Sequence, residues 1–196
     1  MNIVSLYIID TRNKSIEELN LDRFLSNEEI NNSFLKYKVE ETRKEKLVSL
    51  YLKKKYIGDF YLSKDDKPLS NDKYFNISHS KGVVALALSN DCPIGLDIEV
   101  IRDYKDDLAK YISTDEEYEY IKDNKSFFEI WTSKEALVKC LGSGLKDNVK
   151  NIPALPIDGI KQYKGGIYHS KSLVYKDTII NVALATSNDF KIDILS

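Results

Sequence analysis

The stretch Gly95-Leu96-Asp97-Ile98-Glu99 lies in the middle of the chain, within a run (93–100) that has the composition of a β-strand. Because side chains alternate along a strand, Leu96 and Ile98 point to one face, and Asp97 and Glu99 share the other. Two carboxylates about 4 Å apart repel by roughly 4 kcal/mol at an effective dielectric near 20, and by about 1 kcal/mol in water. The pattern therefore predicts either a face that lies in water or a site where a divalent cation or a shared proton removes the repulsion.

Length and composition are those of a globular protein with one substantial core or two small domains. The chain has 196 residues, of which 42% are hydrophobic and 31% are charged. Its net charge of −2 gives no overall attraction to nucleic acid or to a membrane surface, so we expect neither as a partner. Any anion site must therefore be built from local groups.

The cysteines and the first strand indicate a cytoplasmic protein. Cys92 and Cys140 stand alone, outside any metal-ligand spacing, which fits a reducing compartment. Residues 2–10 lack the basic lead of a signal peptide, and no apolar run approaches the length of a membrane span.

The pattern of apolar residues predicts alternating helices and strands. Ser26 followed by Glu29 is a candidate capping box that starts a helical segment. Gly142-Ser143-Gly144 is a candidate helix end. The predicted strands are 2–10, 74–80 continuing into 83–88, and 93–100, and short strands fill the last 45 residues. The predicted helical segments are 26–57, 103–129 and 127–141. The expected apolar stripe of the first helix consists of Leu35, Val39, Leu47, Leu50 and Ile57.

One octapeptide is nearly repeated. Residues 84–91 and 182–189 agree at seven of eight positions, and their offset of 98 residues is half the chain. The repeat suggests two similar α+β halves, each with a helix and a small sheet. The acidic strand would then lie near the junction between them, where ligand clefts are common.

A second set of charged residues lies on the strongest predicted helix. Trp131, Glu135 and Lys139 are spaced i, i+4 and i+8, so they share one helix face. Taken alone, this spacing is more often that of a surface Glu–Lys pair worth about 0.3–0.5 kcal/mol than that of a catalytic site.

A third segment carries groups that suit a phosphate. Phe75-Asn76-Ile77-Ser78-His79-Ser80 offers hydroxyls, an imidazole and backbone amides where a loop joins a strand. A single histidine is more often structural than functional, and this reading stays open for His79.

Together, these three segments resemble the 4′-phosphopantetheinyl transferase superfamily in their order and spacing. The acidic strand resembles its G-x-D-x-E motif, and residues 131–145 resemble its W-[ST]-x-K-E-x-x-x-K-x-x-G-x-G-L motif. The length is similar to that of the two-half, surfactin-synthetase-activating branch. The resemblance implies an α+β fold of two similar α/β halves (1–100 and 101–196) related by a pseudo-twofold axis, with the active site at their junction and a monomeric protein.

The resemblance also implies a reaction. The phosphopantetheine arm of coenzyme A would be transferred, with Mg²⁺, to a serine of an apo acyl or peptidyl carrier protein, releasing adenosine 3′,5′-bisphosphate. Glu135 would act as the base, directly or through a metal-bound water. The two-half branch in general suggests secondary metabolism with broad tolerance for carrier proteins. The implied Mg²⁺ ligands are Asp97, Glu99 and Glu135; the implied catalytic residues are Asp97, Glu135 and Lys139; and the implied coenzyme A contacts are Arg43, Lys67, Ser78, His79 and Lys139, with Asp66 replacing the glycine of the family's G-K-P element.

Two other functions use the same residues. A Mg²⁺-dependent pyrophosphatase would hydrolyse coenzyme A or a nucleotide without a carrier protein, and an inactive module would bind the carrier without modifying it. Residues 104–128 are the expected carrier-docking stretch, although their many Asp and Glu residues do not favour an acidic partner.

Overall fold

The computed structural model describes residues 2–62, 68–144 and 148–195. Within these ranges the fold is α+β, as predicted, with two four-stranded sheets and a short two-stranded one. The strands are β1 (Asn2–Asp10), β2 (Tyr61–Leu62), β3 (Pro68–Leu69), β4 (Tyr74–Ser80), β5 (Val83–Ser89), β6 (Ile94–Val100), β7 (Gly159–Tyr163), β8 (Gly166–Tyr175), β9 (Thr178–Leu184) and β10 (Phe190–Leu195).

The two large sheets pack face to face. The first has the strand order β10-β1-β5-β4, and the second has the order β6-β9-β8-β7. Only the β1–β10 pair is parallel among the strand pairs of the described residues. Apolar side chains from both sheets form the core between them, including Leu6, Leu96, Ile98 and Val182. This packing explains why the apolar side of the acidic strand is buried.

Five α-helices cover the outer faces in the described part of the chain. α2 covers the outer face of the first sheet, where Leu47, Val48 and Leu52 pack against β5. α5 covers β6 and β9 of the second sheet. The helices are α1 (Asn27–Lys36), α2 (Glu40–Tyr56), α3 (Asp106–Ile112), α4 (Asp115–Tyr120) and α5 (Asn124–Leu141), with 3₁₀ turns at Glu17–Leu19, Leu21–Arg23 and Val149–Asn151. No helix in these described ranges is long and apolar enough to cross a membrane.

The helix predicted over residues 26–57 is two helices. Ser26 and Glu29 do form the predicted capping box of α1, but the chain is extended at Tyr37 and Val39 before α2 begins. The predicted apolar stripe is wrong at Leu35 and Val39, which are exposed. Val39 is the N-cap residue of α2. The helical repeat of α1 therefore ends before this residue, and the repeat of apolar residues starts again with α2.

The two sheets have matching strand orders. The order β1-β5-β4 in the first sheet corresponds to β6-β9-β8 in the second, and the repeated octapeptide begins within β5 and β9. The pseudo-twofold axis and the division after residue 100 stay predictions. β6 pairs with β9 and β10 pairs with β1, so each sheet draws strands from both sides of that division.

Candidate active site

Gly95 allows α5 to lie directly on the acidic strand. A Cβ atom at this position would overlap the backbone of Ala136 and Cys140 in α5. The helix is fixed at its start by a capping box between Asp123 and Ser126, and at its end by Gly142 with φ 78°. The glycine of the G-x-D-x-E motif therefore sets the close approach of strand and helix.

Asp97 lies at the centre of a hydrogen-bonded cluster between β6, β4 and α5. Its side chain faces away from the core that holds Leu96 and Ile98, as the alternation predicts. Asp97 is only 5% exposed. Its Oδ1 accepts hydrogen bonds from Ser78 Oγ at 3.0 Å and from Lys139 Nζ at 2.6 Å. The structure thus brings together one residue from each of the three sequence segments.

Glu99 and Glu135 extend this cluster. Glu99 Oε2 accepts hydrogen bonds from Ser80 Oγ at 2.6 Å and from Arg102 Nη1 at 2.8 Å. Burial raises the pKa of Glu135, and the negative charge of Asp97 raises it further. Burial also raises the pKa of Asp97, against the opposing effect of Lys139. Asp97 and Glu135 thus lie in a poorly solvated environment in which two negative charges are unfavourable.

The donor set suits a hard cation, although it is not arranged as a metal cluster. Asp97 Oδ2 is buried and has no hydrogen-bond partner among the described residues, and carboxylate oxygens are the ligands that Mg²⁺ prefers. In the described ranges, however, no three His, Cys, Asp or Glu residues form a group ready to hold an ion. Lys139 and Arg102 already neutralise Asp97 and Glu99.

Polar side chains of β4 connect the first sheet to the acidic strand. Asn76 Oδ1 accepts a hydrogen bond from Leu96 N at 3.2 Å, and Ser80 Oγ accepts one from Val100 N at 3.3 Å. These two residues replace a backbone ladder between β4 and β6. From the sequence, both residues belong to the segment suited to a phosphate, and their hydrogen bonds to β6 were not predicted.

His79 lies on the opposite face of β4 from Ser78. Its Nδ1 is 3.0 Å from Glu45 Oε2, and its Nε2 is 3.0 Å from Lys46 Nζ, both on α2. Glu45 also accepts a hydrogen bond from Gly82 N at 2.8 Å. Ser78 and His79, which were predicted to bind one ligand together, thus point to opposite faces of β4: Ser78 to Asp97 and His79 to α2.

The other predicted coenzyme A contacts are less central. Arg43 donates to Tyr37 O at 2.8 Å and stacks on the Phe34 ring at 4.1 Å. It lies one turn before Lys46 on α2, so the two cations line the same side of that helix. From the sequence, a lysine near Arg43 could take its place, and the i, i+3 spacing indicates Lys46. Lys67 lies outside the described residues, as does the final Leu145 of the third motif.

A cavity of about 220 Å³ opens beside this cluster. It lies at the start of β4 and β6, three residues before Ser78 and Asp97 respectively. At about 3.3 Å per residue, that separation is roughly 10 Å. Its lining is mostly apolar and aromatic: Tyr61, Pro68, Leu69, Ser70, Lys73, Tyr74, Phe75, Pro93 and Ile94.

A buried ion pair holds α5 in place. Lys134 is fully buried, its Nζ is 2.7 Å from Glu117 Oε2, and it also donates to Val149 O. Glu117 Oε1 accepts a hydrogen bond from Ala154 N at 2.8 Å. Trp131 is partly buried against the neighbouring apolar cluster. From the sequence, Lys134 is part of the helix motif and has no predicted role of its own, although its neighbour Glu135 belongs to the cluster.

Fold and site together define an α+β protein in which carboxylates, a lysine and strand hydroxyls meet beneath one helix. Residues 93–186 match the family model described as the 4′-phosphopantetheinyl transferase superfamily. This part of the chain is therefore similar to the domain of that superfamily.

Individual relatives agree with the family match. The 4′-phosphopantetheinyl transferase gsp of Aneurinibacillus migulanus is 39% identical over 80 residues, which are 38% of this chain and 33% of that protein. The transferase HetI of Nostoc sp. is 34% identical over 93 residues, 40% of this chain and 39% of the relative. The transferase Sfp of Bacillus subtilis is 34% identical over 93 residues, 44% of this chain and 38% of the relative. The chain thus spans less than half the length of these relatives.

Proposed function

We propose that this protein is an enzyme that transfers the 4′-phosphopantetheine group of coenzyme A to a serine hydroxyl of an apo acyl or peptidyl carrier protein. The observation that carries the proposal is the cluster of Ser78, Asp97 and Lys139, in which residues from three distant segments meet inside the matched domain or beside it. In the reaction, the serine oxygen bonds to the β-phosphorus of coenzyme A, and adenosine 3′,5′-bisphosphate leaves with the electrons of the broken P–O bond.

Lys139 neutralises the diphosphate in this proposal. Its Nζ lies 3.2 Å from Ser78 Oγ and 2.6 Å from Asp97 Oδ1, and its side chain is 31% exposed. A diphosphate oxygen can therefore approach the ammonium from the solvent side, while Ser78 offers a hydroxyl to the same anion. Charge placed where negative charge develops on the leaving group stabilises the transition state.

The carboxylates would hold Mg²⁺ beside the diphosphate. We assign Asp97, Glu99 and Glu135 as its ligands, because their mutual repulsion and burial make a cation favourable there. The bound ion would supply neutralising charge for the diphosphate. Lys139 and Arg102, which neutralise two of these carboxylates, would then contact phosphate oxygens as well.

Glu135 is the proposed base for the serine proton. Burial raises the pKa of this carboxyl, with a further increase from Asp97, and a base is most effective when its pKa lies nearer the working pH. The proton passes from the carrier serine to Glu135 as the new P–O bond forms, directly or through a water molecule.

The nucleotide end of coenzyme A has two features to bind it. Arg43, Lys46 and His79 form a basic group along α2 and β4 that suits the 3′-phosphate. The cavity beside Tyr74 and Pro93 presents an apolar, aromatic lining suited to the adenine ring. Lys67 remains a proposed contact.

The carrier would dock on the surface formed by residues 104–128. Leu108, Tyr111 and Tyr120 are exposed there and offer apolar contact area. This surface adjoins α5, which carries Glu135 and Lys139. We further propose a cytoplasmic monomer of two pseudo-twofold-related halves (1–100 and 101–196) that serves secondary metabolism.

Mass spectrometry of an apo carrier domain tests the proposal. With coenzyme A and Mg²⁺, the carrier should gain the mass of one phosphopantetheine group. Cleavage of coenzyme A with an unchanged carrier would indicate a pyrophosphatase instead, and carrier binding without either reaction would indicate a binding module.

Asp97→Ala should abolish transfer while the protein stays folded. The change removes a proposed metal ligand and a carboxylate that is destabilised by burial. Glu28→Gln, in the exposed first turn of α1 and outside the proposed docking surface, is the control and should retain full activity. Near-normal transfer by Asp97→Ala would refute the role of this carboxylate.

A further inference from the structure

A row of polar side chains crosses the second sheet beneath α5. Asp97 on β6 lies directly opposite Asn181 on β9, and Asn181 lies opposite Ser172 on β8. The residues on either side of Asn181, Ile180 and Val182, point into the core between the sheets. Alternation therefore directs Asn181 to the α5 side, which is the side of the cluster.

Asn181 is an unusual residue for this position. It is 0% exposed, and neither its amide nitrogen nor its oxygen has a hydrogen-bond partner among the described residues. The same is true of Asp97 Oδ2 on the neighbouring strand. An unsatisfied buried polar group costs about 1–3 kcal/mol, so an apolar residue would be favoured if the sheet only needed to be packed.

The two orphaned groups are within reach of one bridging molecule. Cβ atoms of residues directly opposite each other on antiparallel strands are about 4.5–5.5 Å apart. A water between two polar groups at this spacing makes hydrogen bonds nearly as favourable as direct ones. The carboxylate oxygen only accepts hydrogen bonds, so the amide nitrogen is the chemically complementary end of Asn181.

We propose that Asn181 is a positioning residue that holds Asp97 Oδ2 through one buried water. The carboxylate is then held at both oxygens: Oδ1 accepts from Ser78 and Lys139, and Oδ2 accepts from the water and keeps a second lone pair for the proposed cation. Fixing the rotation of this carboxylate keeps its charge aimed at the place where the diphosphate and its cation bind. This inference rests on the proposed transferase function for its kinetic consequences, but not for its geometry.

Threonine and valine have nearly equal volumes, so comparing them at position 181 isolates the effect of a hydrogen-bond donor. Asn181→Thr keeps a hydroxyl that can bind the water, whereas Asn181→Val places a methyl group there, and both residues suit a strand. Ser170→Ala is the matched control, since Ser170 is another buried, unpartnered polar residue on β8 that lies opposite Ala183. Changing a group that orients a metal ligand costs about 10–100-fold in metal affinity or activity.

We expect Asn181→Val to lower kcat and the affinity for Mn²⁺, measured by electron paramagnetic resonance, by about 10–100-fold. The KM for coenzyme A should stay unchanged. Asn181→Thr should recover most of both losses, and Ser170→Ala should match the unmodified protein. Equal behaviour of the Thr and Val variants, or unchanged Mn²⁺ affinity in Asn181→Val, would overturn the proposal.

A high-resolution crystal structure of the unmodified protein gives a test that needs no active enzyme. It should show a water within hydrogen-bonding distance of both Asn181 Nδ2 and Asp97 Oδ2. An empty gap there would overturn the inference, even if the protein transfers phosphopantetheine. A protein that holds this water yet fails to modify any carrier would instead overturn the proposed function alone.

Discussion

Replacing Lys134 by methionine tests how firmly α5 must be held. The change keeps the length of the side chain and removes its charge. Glu117 would then keep a negative charge at a site where its side chain is 4% exposed. Glu117 accepts hydrogen bonds from Ala154 N and Thr114 N, so it does not turn easily to solvent.

The expected loss follows from this burial. Removing one partner of a buried ion pair costs about 3–5 kcal/mol, because the other charge is left uncompensated. For a chain of this length, each kcal/mol lowers the melting temperature by about 2–4 °C. The melting temperature of Lys134→Met should therefore fall by roughly 6–20 °C.

Thermal and urea unfolding, followed by circular dichroism, measure this effect. The double variant Lys134→Met/Glu117→Gln should regain most of the lost stability, since it removes the uncompensated charge and keeps an oxygen for Ala154 N. The control Lys125→Met removes an exposed cation from the same helix and should change stability little. A loss below about 1 kcal/mol in Lys134→Met, or no recovery in the double variant, would refute the reasoning.

Three further changes test other parts of the structure. Gly95→Ala should destabilise the fold by about 1–3 kcal/mol or more, because the added methyl group meets the α5 backbone at Ala136. Urea unfolding measures this loss, and an unchanged stability would mean that α5 can move away from the strand. Arg12→Ala should cost about 1–2 kcal/mol at pH 7, since its hydrogen bonds to Asp10 hold the pKa of that carboxyl well below its usual range. This contribution is fully present above the unfolded pKa of about 3.9 and is lost progressively as pH falls through the much lower pKa of the folded carboxyl. The difference in melting temperature between the two proteins should therefore narrow steadily as pH falls below about 5, and a constant gap would contradict the assignment. His79→Ala should raise the KM for coenzyme A with little change in kcat. His169→Ala, at the only other histidine of the sequence, is the control and should leave both constants unchanged. An increase in KM for the carrier protein alone would exclude the phosphate role of His79.

Local patterns were sufficient to predict the acidic strand and its helix. The alternation in residues 94–100 and the spacing of Glu135 and Lys139 each depend on neighbours in sequence, which is why strand and helix were predictable. The capping box at Ser26 was predictable for the same reason. The break between α1 and α2 was missed because an extended N-cap such as Val39 carries no strong sequence signal.

Contacts between distant segments were harder to predict from the sequence. Asn76 and Ser80 bridge β4 to β6 through side chains, which depends on how two sheet edges meet rather than on either strand's composition. The burial of Lys134 opposite Glu117 could not be predicted from the sequence either, because lysine is rarely buried. The division of Ser78 and His79 between two faces follows from strand alternation and could have been predicted from the sequence.

The pairing of β10 with β1 has a consequence for synthesis of the protein. Residues 190–195 lie beside residues 2–7 in parallel register, and Phe190 is fully buried in the core. The ribosome makes β1 long before residues 190–195, so one edge of β1 stays open until they are made. Such an edge can pair with other chains, and the protein depends on β10 to close it.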